Sequence, residues 1–101
     1  MYCYVWTFLV KPEFLADFQL AYGQEGEWVR LFRNDPAYRY THLLGDRENP
    51  ARFMTVDYWD SRAACLSFRQ RHREQFDALD ERFSAFTVEE THVGDFDLVG
   101  A

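Results

Sequence analysis

Residues 52–68 read RFMTVDYWDSRAACLSF, and this stretch decides the fold. Phe53, Thr55, Asp57 and Trp59 alternate with Met54, Val56 and Tyr58, the period of two that marks a β-strand. Both sets carry apolar side chains, which a strand with one solvated face does not need, so each side of this strand is covered. Asp60 or Ser61 then supplies a helix cap, and Cys65, Phe68, His72, Phe76, Leu79 and Phe83 continue at helical spacing for about five turns of 3.6 residues. The apolar stripe of that one long helix belongs on a sheet.

Outward from this strand-to-helix unit the other elements fall into place. Tyr2 to Val10 sets Tyr2, Tyr4, Trp6 and Phe8 against Cys3, Val5, Thr7 and Leu9, a central strand covered on both faces. Lys11-Pro12-Glu13 starts a helix whose stripe is Phe14, Leu15, Phe18, Ala21 and Tyr22, and Gly23 ends it. GEWVRLFRN at 26–34 spaces Trp28, Leu31 and Phe32 for a second short helix. Tyr38 to Leu44 and Arg52 to Trp59 make a hairpin across GDRENP, and Thr87 to Phe96 gives the fourth strand. The expected fold is α+β: a ferredoxin-like βαββαβ domain over residues 1–101, with a four-stranded antiparallel sheet and two main helices on one face. The other face is left bare, and a second copy of the chain fits it.

Composition narrows the function classes. A chain of 101 residues with 48% apolar and 19% aromatic side chains makes one small domain, too thin to bury every ring, so some rings are expected in a ligand pocket or a subunit interface, and a homodimer is the expectation. A net charge of −6 argues against nucleic acid, whose binding depends on clustered Lys and Arg. Arg69, Arg71 and Arg73 do cluster, but beside Glu74, Asp77, Asp80 and Glu81, which reads as a solvated helix face of mixed charge. Nothing approaches the roughly 20 apolar residues of a membrane span, and MYCYVWTFLV at the start lacks the marks of a secretory leader. A cytoplasmic protein with no membrane contact is the expectation, and Cys3 and Cys65 read as reduced, buried spectators.

The chemistry-bearing residues depend on an assumed hairpin register. If Leu44 pairs with Phe53, then His42 lies opposite Thr55, Tyr40 opposite Asp57 and Tyr38 opposite Trp59, all on one face. Asp57 is then either a hydrogen-bonded structural acid or a base whose pKa is raised by its apolar strand. His72 is either a core histidine or a catalyst on a stripe that faces the same cleft. Trp59 either plugs the core where strand meets helix or forms a wall for a flat ligand, with Trp6, Tyr40 and Phe68 as further walls. His42, His72 and His92 have no ligand spacing, so no metal is expected. Gly23 and Gly26 lack the pattern of a phosphate loop, so a nucleotide cofactor is not expected either.

At TVDYWDSRAACLSF, followed by the Phe76 and Leu79 pair and the final strand, the chain resembles the antibiotic biosynthesis monooxygenase family of dimeric α+β barrels. Trp59 at the strand end, the cap Asp60-Ser61 and the small pair Ala63-Ala64 carry the resemblance. It implies a homodimer with a small apolar cleft between helices and sheet, and a cofactor-free oxygenase of a small aromatic, phenolic or quinol substrate. On that pattern Asp57 or His72 is the base; Tyr40, Tyr58 or His42 are the donors to a developing oxyanion; Trp59, Phe68 and Trp6 are the dry walls. Phe68 stands where many members have a histidine, and the Asn of strand one and the Trp of the second helix in the haem-degrading branch have no counterpart here. The alternatives are a dimer that holds a small apolar ligand without converting it, and an isomerase-like or lyase-like barrel.

Overall fold

The computed structural model describes residues 1–100, in the order β1 (Tyr2–Val10), α1 (Leu15–Tyr22), α2 (Glu27–Phe32), β2 (Tyr38–Gly45), β3 (Arg52–Trp59), α3 (Arg62–Arg71), α4 (Arg73–Phe83) and β4 (Thr87–Asp97). Single 3₁₀ turns at Pro12–Phe14 and Ser84–Phe86 lead into α1 and β4. The strands form one antiparallel sheet in the order β2-β3-β1-β4, the ferredoxin-like arrangement expected from the alternation and turn signals. No helix among the described residues is long and apolar enough to cross a membrane.

The helices cover one face of the sheet. Tyr2, Tyr4, Phe8 and Val10 of β1 and Phe53 and Trp59 of β3 join Phe18, Tyr22, Trp28, Val29, Phe32, Cys65, Phe68 and Phe83 in a single core. Rings dominate it: Phe18 stacks on Tyr22 at 4.3 Å, and Trp28 meets Phe76 edge-on at 4.9 Å. α1 turns into α2 at a close approach that admits only glycine, because a Cβ on Gly26 would lie 2.1 Å from the Ala21 carbonyl oxygen. The α3 cap is Ser61, whose Oγ accepts from the Ala64 N–H at 3.1 Å.

Two expectations are corrected. The long helix after Ser61 is two helices, α3 and α4, because His72 leaves helical geometry at φ −112°, ψ 29°. Its ring lies back on Phe68 at 4.5 Å, and the bend keeps Phe68 under the sheet while Phe76 and Phe83 reach Trp28. The hairpin register also differs. Tyr38 does face Trp59, but Arg39 is an extra residue, and from there Tyr40 pairs with Tyr58, Thr41 with Asp57, His42 with Val56 and Leu44 with Met54. The bulge moves Thr41 to the helix side and Tyr40, His42 and Leu44 to the open side.

Ser61→Ala removes the side-chain acceptor at the head of α3. It should lower unfolding stability by about 1 kcal/mol in a denaturant titration, with the sheet intact by circular dichroism.

Candidate functional site

A cavity of about 230 Å³ lies between the sheet and the helices. Its walls are mostly rings, Tyr4, Trp6 and Phe8 from β1, Tyr22 from α1, Trp28 and Phe32 from α2 and Phe76 from α4. Into these walls are set Thr41 of β2, Thr55 and Asp57 of β3, Arg69 of α3, Asp80 of α4 and Glu90 of β4. Few polar groups in an apolar lining is the composition of a small-molecule site.

Asp57 is the chemical centre of this cavity. It sits on an inner strand, opposite Tyr4 of β1 on one side and Thr41 of β2 on the other. Only 6% of it is exposed. The Thr41 hydroxyl donates to its Oδ1 at 2.5 Å, so the Tyr38 hydroxyl, 2.8 Å from Thr41 Oγ1, donates to Thr41 in turn. Burial is the larger influence and pushes the carboxyl pKa up to about 6, although hydrogen bonds from Thr41 and Tyr4 favour the charged form. A carboxyl that changes charge near neutral pH in a mostly apolar cavity has the properties of a general base.

The cavity is electrically polarised. Arg69 lies beside Tyr4 and Phe76, its guanidinium carbon 5.7 Å and 4.8 Å from their ring centres. Glu90 and Asp80 sit together near Tyr22, and burial, reinforced by the neighbouring Asp80 charge, raises the Glu90 pKa against the hydrogen bond it accepts from Thr87. One end of the cavity therefore carries a cation and a titrating acid, and the other a pair of carboxylates.

Of the residues singled out by sequence, Asp57 and Trp6 line this cavity. Trp59 and Phe68 are fully buried and pack on Phe32 beside it, the core plug between strand and helix. His72 stands at the junction of α3 and α4, outside the lining. Tyr40, His42 and Tyr58 come together, with ring centres 4.5 to 5.4 Å apart, but on the opposite face of the sheet. Sequence reasoning missed Thr41, Thr55, Tyr4 and Arg69. The parity of Thr55 with Asp57 was a usable signal for one of them; the bulge hid Thr41, and the surrounding charges disguised Arg69.

A family model described as antibiotic biosynthesis monooxygenase matches residues 1–82, from β1 nearly to the end of α4. The chain belongs to this family. SnoaB, a cofactor-independent oxygenase from Streptomyces nogalater solved in a mutant form, superposes with a TM-score of 0.77 at 17% identity, over 99% of this chain and 94% of its own. A proposed antibiotic biosynthesis monooxygenase from Bordetella bronchiseptica gives 0.77 at 21% identity, over 97% and 96%. An uncharacterised NIPSNAP domain protein from Burkholderia xenovorans gives 0.74 at 14%, over 99% and 96%. At these identities the superpositions establish a shared α+β fold. Among curated proteins none matches the chain.

The raised pKa sets a sign for stability. Asp57 ionises near 3.8 when unfolded and near 6 when folded, so the folded state holds the extra proton between these values and gains stability as pH falls through that window. Asp57→Asn removes the buried charge. It should exceed the wild type in stability by up to roughly 3 kcal/mol above pH 6, with the advantage shrinking toward pH 4. A carboxyl carbon titration by NMR should give a midpoint near 6 for Asp57.

Proposed function

We propose that the chain is a cofactor-independent monooxygenase of a small aromatic, phenolic or quinol substrate, with Asp57 as its base. The observation that carries this reading is a buried carboxyl with a pKa of about 6 at the wall of a ring-lined cavity. Family membership and the likeness to a cofactor-independent oxygenase support it.

The chemistry follows from what such a group does. The Asp57 carboxylate takes a proton from an acidic O–H or activated C–H of the substrate, and the electron pair stays on the substrate as an electron-rich anion. That anion reduces dioxygen and forms a C–O bond; the resulting peroxide takes a proton and loses water. One oxygen atom remains as a new carbonyl, and the other leaves as water with two hydrogens from the substrate. The Thr41 hydroxyl keeps Asp57 in place, and the surrounding rings limit water access to the anion.

The bare face of the sheet belongs to the same proposal. Cys3, Val5, Thr7 and Leu9, with Met54, Val56 and Tyr58, form an apolar centre, and Leu44, Val93 and Phe96 around it are each 48–49% exposed. A second copy would cover this face, giving a homodimeric α+β barrel with one cavity per subunit. Val56→Lys, at the middle of that face, should convert dimer to monomer in light scattering after gel filtration.

Oxygen uptake in chelator-treated buffer, against anthrones, quinols and catechols, tests the activity. The expected result is uptake above the heat-denatured control with oxygenated product, rising with pH through about 6 as Asp57 ionises. Asp57→Asn should lose a hundredfold or more in kcat, on the order expected for removing a general base, whereas His72→Phe should keep most of it. Ligand-induced thermal stabilisation without any product would replace this reading by the ligand-holding one.

A further inference from the structure

Arg69 is the cavity residue that the base alone does not explain. The other arginines around it are committed: Arg62 pairs with Asp95 at 3.6 Å, Arg73 with Asp77 at 3.8 Å, Arg71 with the buried Asp35, and Arg82 makes a two-pronged contact with Glu27 at 2.6 and 2.7 Å. Arg69 lines the cavity and has no carboxylate within 4.0 Å among the described residues. Its guanidinium is held instead on the rings of Phe76 and Tyr4. Tyr4 is also the strand neighbour of Asp57. A half-buried cation that lacks a counter-ion, one tyrosine away from a buried acid, is placed to receive an anion at that end of the cavity.

We propose that the cavity selects acidic aromatic molecules, phenols or enols that ionise readily, and that Arg69 holds their anionic oxygen while the ring lies against Tyr4 and Phe76. This deepens the proposed function, since it rests on the same cavity being the ligand site. When Asp57 removes the O–H proton, the O–H bond breaks, the proton joins the Asp57 carboxylate and the electron pair stays on the ligand oxygen. The negative charge thus passes from a wall group to the ligand, where the planar, permanently charged guanidinium pairs with it. Glu90 and Asp80 at the opposite end repel an anion there, so the cavity orients the ligand as well as binding it.

The test uses two probes with the same dinitrophenyl ring, 2,4-dinitrophenol, which is ionised at pH 6, and its uncharged methyl ether 2,4-dinitroanisole, with affinities from calorimetry. Wild-type protein should bind the phenolate at least about tenfold more tightly than the anisole, the range of a charge-assisted hydrogen bond. Arg69→Gln should abolish this preference, and Arg69→Lys should restore part of it if the Gln variant folds poorly. Arg47→Gln, the same charge change in the exposed hairpin turn, should leave it intact. Equal affinity for the two probes in wild type, or a preference that survives Arg69→Gln, overturns the role of Arg69 and leaves the cavity reading standing. Binding of neither probe overturns both.

Discussion

The site depends on one extra residue. Arg39 bulges between Tyr38 and Tyr40, and its side chain is tied to Asp60 beyond the end of β3. Because side chains alternate along a strand, one inserted residue exchanges the two faces of everything that follows it. Thr41 then arrives opposite Asp57 instead of Tyr40, and Tyr38 and Thr41, three residues apart, both face the helices with their hydroxyls in contact. The chain Tyr38, Thr41, Asp57 exists because of that bulge. With regular pairing the acid would face a phenol ring and the cavity would lose its small polar corner.

Burying a carboxyl beside so many rings opposes folding. The structure limits that cost rather than removing it, since the Thr41 hydroxyl, itself held by Tyr38, donates to Asp57, and none of its close partners is a cation. A nearby guanidinium paired with Asp57 would hold its pKa low and make it a poor base. Arg69 is close enough to influence the Tyr4 hydroxyl, yet it is not paired with Asp57. In the proposed reaction, the separation of acid and cation by Tyr4 would keep both available, the acid to take a proton and the cation to meet the charge left behind.

The fold was legible in the sequence because its signals are local. Alternation over Tyr2–Val10 and Arg52–Trp59, proline before α1, glycine after it and Ser61 before α3 each act over a few residues, and each reappears where the sequence puts it. The site was legible only in part, because it is assembled across strands. Asp57 and Trp6 lie on strands whose faces follow from burial alone. Tyr40 and His42 required the register of β2, which a bulge changes without any mark in composition, and they joined Tyr58 on the other face. The long helical stripe through His72 gave no notice of the break there. Arg69 shares its stretch of sequence with paired arginines, and only the absence of a carboxylate near it in space distinguishes it.

β1 links the two faces of the sheet. Tyr4, Trp6 and Phe8 are cavity wall, while Cys3, Val5, Thr7 and Leu9, one residue out of step, form the centre of the open face. A partner on the open face would therefore press on the backbone that carries the cavity wall and limit the fluctuations that let water reach Asp57 from behind. In a lone subunit the open side of this central strand is only partly covered, with Val5 buried and Cys3, Thr7 and Leu9 partly exposed. A partner on the open face would make both sides dry, so burial of the apolar sheet and the raised pKa of the acid would support each other through a single strand of nine residues.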